Sequence, residues 1–62
     1  MDIQVLLMNT VKFILKKGTV QELQKDLRNW QIRHYPFSRQ PDGLEVIMYE
    51  NPKVDWILLK YS

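Results

Sequence analysis

Between Leu44 and Tyr61 the chain carries two runs of branched and aromatic residues, Leu44-Glu45-Val46-Ile47-Met48-Tyr49-Glu50 and Val54-Asp55-Trp56-Ile57-Leu58-Leu59-Lys60-Tyr61, joined by Asn51-Pro52-Lys53. Such side chains suit a pleated, half-buried surface, and a short proline-bearing joint between two such runs predicts a hairpin. A lone two-stranded hairpin is marginal in water. The rest of the chain must therefore supply a third strand and a cover.

Upstream, Gln40-Pro41-Asp42-Gly43 is a turn signal, with Pro fixing φ, Asp bonding its own backbone and Gly taking a left-handed position. The extended pattern before it predicts a strand over about 32–38. Pro36 removes a ladder donor, which makes this an edge strand. The expected sheet is a three-stranded antiparallel meander over about 32–38, 44–50 and 54–61, with 44–50 central.

The cover is predicted just before that strand. Thr19-Val20-Gln21-Glu22 fits a capping box, and Val20, Leu23, Leu27 and Trp30 then recur at spacings of three, four and three. This is an amphipathic helix over about 20–30, ending where Ile32 to Tyr35 approach Pro36. The fold class is α+β.

The segment Ile3 to Lys17 admits two readings. As a helix, which is the favoured reading, it has a wide apolar surface, Asp2 at its start, and Lys16-Lys17-Gly18 as a cationic, glycine-terminated end. As an added strand, Val11, Phe13 and Leu15 alternate with Lys12, Ile14 and Lys16, and β-branched Ile3, Val5, Thr10, Val11 and Ile14 suit it.

Turn lengths predict a register pairing Met48 with Trp56, Val46 with Leu58, Phe37 with Val46, and Tyr35 with Met48. One face then holds Tyr35, Phe37, Leu44, Val46, Met48, Trp56 and Leu58 beneath the helix, with Trp56 filling the core. The other holds Pro36, Ile47, Tyr49, Ile57, Leu59 and Tyr61. A sheet face left to water normally alternates toward polar residues. This second face is apolar, so the first segment or a second molecule is expected to cover it.

At 62 residues the chain is read as a single small domain, 1–62, near the lower limit for independent folding. It contains no cysteine, hence no disulfide and no thiolate metal site, which raises the expectation of self-association. The apolar stretch from Ile3 to Leu15 is broken by Gln4, Asn9, Thr10 and Lys12, well short of the roughly 20 residues of a spanning helix. Asp2 stands where a signal peptide would be basic. A cytoplasmic protein without membrane association is expected. The net charge of +2 is unevenly spread, with Lys12, Lys16, Lys17, Lys25, Arg28, Arg33 and Arg39 outweighing Glu22 and Asp26 between Thr10 and Gln40. Such a bias can steer a polyanion.

The sequence argues against catalysis. His34 is the one conventional imidazole ligand and has no His or Cys companion at ligand spacing, so neither metal nor cofactor is expected. Ser38 and Ser62 have no base at a recognisable spacing. Glu22 and Asp26 share a helix face and read as solvated surface, and a domain of this size has little room for a substrate pocket. Gly18 and Gly43 stand alone, without a phosphate-cradling loop. In Arg33-His34-Tyr35-Pro36-Phe37-Ser38-Arg39, basic residues interleave with rings, a pattern that can hold a phosphate backbone while bases stack. The predicted register, however, turns Tyr35 and Phe37 into the core. Ile14 to Leu23 resembles the junction of the first two helices in helix-turn-helix repressors, and the hairpin resembles their wing. The recognition helix such a winged helix implies would fall where Pro36 and Pro41 stand.

Two functions follow as expectations. The first is a non-enzymatic interaction protein, a homo-oligomer or an adaptor, using a sheet edge or the face of Ile47, Tyr49, Ile57, Leu59 and Tyr61 and taking no small-molecule substrate. The alternative is a nucleic-acid-binding regulatory protein using Lys12, Lys16, Lys17, Arg28, Arg33 and Arg39.

Overall fold

Alternation of Val11, Phe13 and Leu15 with Thr10, Lys12 and Ile14 produces the first strand, β1 (Thr10–Leu15), in a computed structural model that describes residues 9–62. After it come helix α1 (Val20–Asn29), strands β2 (Ser38–Gln40) and β3 (Gly43–Tyr49), and helix α2 (Val54–Tyr61). The fold is α+β, a three-stranded antiparallel sheet with two helices, and the strand order is β1-β3-β2. β1 and β2 thus run parallel to one another, with β3 inserted between them.

Three segments differ from the expectation. The strand expected over about 32–38 is Ser38–Gln40, with a single bridge from His34 to Met48 upstream of it, because Pro36 interrupts the ladder. Thr10–Leu15 is the added strand and not part of a helix, while residues 3–8 of that segment lie outside the described residues. The strand also leaves no helix-turn-helix junction around Gly18. Val54–Tyr61 is a helix and not the third strand of a meander, so the edge of β3 assigned to it is taken by β1. The physical reason lies in the Asn51-Pro52-Lys53 joint. The Lys53 N–H donates to Asn51 Oδ1 at 2.9 Å and the Val54 N–H to the Asn51 carbonyl at 2.9 Å, which winds the chain into a helical turn. Asp55 in the first turn and Lys60 in the last complement the helix dipole. Val54, Ile57, Leu58 and Tyr61 then fall at helical spacing on one face.

α1 begins at the expected cap, where the Glu22 N–H donates to Thr19 Oγ1 at 3.1 Å. It ends in a Schellman motif. Gln31 takes a left-handed φ of 56°, its N–H donates to the Arg28 carbonyl, and the Ile32 N–H reaches back to the Leu27 carbonyl at 2.9 Å. This termination sends Ile32 into the core.

The core lies between the sheet and both helices. Phe13, Val46 and Met48 from the sheet meet Leu23 and Leu27 of α1, Ile32, and Val54, Ile57 and Tyr61 of α2. Val11, Leu15, Trp30, Phe37 and Leu58 pack around them. Trp56, expected to fill the core, is 62% exposed, because a helix carrying Ile57 and Tyr61 inward turns Trp56 outward. The helices are tied to each other by Asp26, whose Oδ2 accepts from Lys60 Nζ at 2.8 Å and from the Tyr61 hydroxyl. α2 is tied to β1 through the Tyr61 carbonyl, which accepts from the Lys16 and Lys17 N–H groups at 2.8 and 3.1 Å.

Candidate functional site

Because side chains alternate along a strand, packing both helices on the Val46 and Met48 side leaves the other side of the sheet with Ile47 and Tyr49 of β3 and Thr10, Lys12 and Ile14 of β1. The register sets Lys12 beside Ile47, Thr10 beside Tyr49 and Ile14 beside Glu45. On the far side of β3, the Tyr35 N–H donates to the Ile47 carbonyl at 2.9 Å and the Tyr49 N–H to the Arg33 carbonyl at 2.8 Å.

This last pairing corrects the expected one. Ser38 faces Glu45 in β2, whereas His34 bridges Met48, so the register slips by one residue around Pro36. A one-residue slip moves a side chain to the opposite face. Phe37 therefore packs against the core as expected, while Tyr35 crosses to the opposite face, which is open among the described residues and where it is 43% exposed. Proline forces the slip because it has no N–H to give to β3.

On the open face Arg33, Tyr49 and Tyr35 form a row. The Arg33 guanidinium carbon lies 5.5 Å from the centre of the Tyr49 ring, and the Tyr35 and Tyr49 rings are 5.3 Å apart at 34°. A cation over one ring and a tilted ring pair add direction to an otherwise apolar surface. Hydrogen bonding to Tyr49 and then its charge raise the Tyr35 phenol above its ordinary pKa.

Of the residues expected to form a protein interface, Ile47 and Tyr49 lie on this face. Ile57 and Tyr61 do not, being fully buried under the sheet because their segment is helical. Leu59 is 73% exposed, on the outer side of α2 next to Trp56 and away from the sheet, where Pro52, Asp55, Trp56 and Leu59 line a shallow groove. The basic residues are dispersed. Lys12 and Arg33 share the open face, Lys16 and Lys17 follow β1, Arg28 sits in the last turn of α1, and Arg39 faces the side carrying the helices. His34 stacks on Phe37 with ring centres 5.1 Å apart, and its Nδ1 lies 2.7 Å from the Tyr35 carbonyl oxygen. Among the described residues no group of three or more His, Asp or Glu could hold a metal ion, and no helix is long and apolar enough to cross a membrane.

Sequence reasoning missed Ile14 and Tyr35 on this surface. The alternation from Val11 to Leu15 signals the first. Proline in a strand, with the slip it invites, signals the second. No protein-family model, curated protein or solved structure matches the chain.

Proposed function

We propose that this is a small non-enzymatic interaction protein, acting in the cytoplasm as a homo-oligomer or an adaptor, which engages another protein or a second copy of itself through the open face of its sheet. Ile14, Tyr35, Ile47 and Tyr49 form the centre of the contact, and Lys12, Arg33 and Glu45 its polar rim. The observation that carries this reading is the placement of both helices on one side of the sheet, opposite two aromatic and two branched aliphatic side chains. At about 25 cal/mol per Å² of apolar area removed from water, covering them contributes several kcal/mol to association. Tyrosines flanked by an arginine are residue types enriched at protein interfaces.

The test is affinity capture from the native host, with light scattering for the second copy. An Ile47→Glu bait with unchanged circular dichroism loses the partners of the unaltered bait, or its concentration-dependent mass, whereas Gln24→Glu on the exposed side of α1 loses neither. Retention of the same partners by Ile47→Glu overturns the reading. Nucleic acid is the second reading, favoured by the exposure of Tyr35 beside Tyr49 with Arg33 and Lys12 on the same face. It requires binding to a single-stranded oligonucleotide that weakens steeply with salt.

A further inference from the structure

The sheet ends at β1, and the alternation of ladder bonds identifies the groups left on that edge. The Glu50 N–H donates to the Asn9 carbonyl at 3.0 Å, so Asn9 belongs to a hydrogen-bonded pair with β3. Val11, Phe13 and Leu15 follow the same phase. Thr10, Lys12 and Ile14 therefore direct their N–H and carbonyl groups away from β3. Among the described residues the only element at this edge is the end of α2, whose Tyr61 carbonyl accepts the Lys16 and Lys17 N–H groups.

The connectivity gives that edge a direction. In β1–α1–β2 two parallel strands are split by β3, and β3–α2 begins a second unit of the same kind, which in the six-element form of this motif closes with another strand. Both sides of β3 are occupied, so among the described residues the open position is outside β1. α2 returns the chain path to the Lys16 end, and a segment running from there toward Thr10 is antiparallel to β1.

We propose that the outer edge of β1 docks an extended acidic segment of a partner protein, which adds antiparallel to Thr10–Leu15 as a fourth strand. This names the kind of partner for the interaction reading above, and rests on that reading only in taking the partner to be a protein. Residues of the segment paired with Thr10, Lys12 and Ile14 project onto the open face, where an acidic side chain meets Lys12. Intervening residues project to the helix side beside Val11, Phe13 and Leu15, where apolar side chains fit. Lys16 and Lys17 add positive charge at one end of the strip. A second copy is the poorer occupant, because an antiparallel self-pairing about Lys12, the middle one of the three residues whose backbone groups point outward, sets Lys12 against Lys12, and an edge lysine is a common device against such self-pairing. Strand addition to an exposed sheet edge is an established mode of peptide recognition, with main-chain bonds supplying affinity and alternate side chains specificity.

The experiment titrates the full chain with a synthetic heptapeptide alternating valine and glutamate, and with a valine–lysine counterpart, following amide exchange by NMR. The valine–glutamate peptide slows exchange of the Thr10, Lys12 and Ile14 amides, and Lys12→Glu weakens it about tenfold while improving the valine–lysine peptide. Absence of binding by the valine–glutamate peptide overturns the edge, as do changes confined to the Tyr35, Ile47 and Tyr49 side chains. The same three amides already slow in the free chain overturn it too, assigning the position to the chain's own residues if the effect is independent of concentration and to a second copy if it grows with concentration. Loss of capture by Ile47→Glu is a separate observation, so the edge and the face fail independently.

Discussion

Replacing Ile57 and Trp56 separately by alanine decides how the last segment is folded. Ile57 is fully buried and faces the sheet, so Ile57→Ala leaves a cavity and costs about 2 to 5 kcal/mol. A domain of 62 residues is stable by roughly 3 to 9 kcal/mol at ordinary values per residue, so this loss removes a large share of its stability, up to all of it. Trp56 is 62% exposed on the outer side of α2. Trp56→Ala forfeits limited contact, and alanine's better helix propensity returns about 0.5 kcal/mol, so the net change stays within about 1 kcal/mol. Urea unfolding followed by far-ultraviolet circular dichroism reads both, and Ile57→Val, costing about 0.5 to 1.5 kcal/mol, supplies a value where Ile57→Ala fails to fold. A strand with Trp56 inward reverses the order. If Trp56→Ala unfolds the chain while Ile57→Ala is tolerated, the helical assignment of Val54–Tyr61 and the open sheet face are both wrong.

Hydrogen bonds from Lys60 and then Tyr61 hold the Asp26 carboxyl below the ordinary aspartate range. The ionised form is thus favoured by folding, and this contribution is present above about pH 4 and lost as pH falls through the lowered native value. Asp26→Asn should flatten the acid limb of a stability–pH curve; an unchanged limb contradicts the link between α1 and α2. Gly18→Ala places a Cβ 2.9 Å from the Tyr61 ring at a φ of +71°, and urea unfolding should show a loss above the about 1 to 2 kcal/mol of left-handed strain alone. Thr19→Ala removes the cap of α1 and should lower thermal stability by about 1 kcal/mol, without changing capture through the sheet.

How much was legible in the sequence depended on whether a segment's signal was local. α1 is local throughout, with cap, stripe and acidic first turn all inside Thr19 to Trp30, and both ends fall within a residue or so of the expectation. The Pro41-Asp42 turn is also local, and the β2–β3 register follows from it. Val54 to Tyr61 failed because nearly every position is apolar. Trp56 and Leu59 on the outside hide the helical spacing of Val54, Ile57, Leu58 and Tyr61, and β propensity then decides wrongly. Thr10 to Leu15 could not be settled alone, since whether it pairs depends on β3 having a vacant edge, which the misread segment had taken. On the candidate surface, Ile47 and Tyr49 were found through alternation along β3. Tyr35 was lost to a slip at Pro36 that no local pattern measures.

The sheet face opposite the helices is proposed as the surface through which this protein meets its partner. It is tested most directly by placing a benzophenone side chain at position 47 and irradiating cells that express the variant, with position 24 on α1 as the control. A discrete crosslinked adduct is expected from position 47 and none from position 24. Adducts from position 24 alone, or from positions 56 and 59 on the outer side of α2 but not from 47, would contradict that assignment.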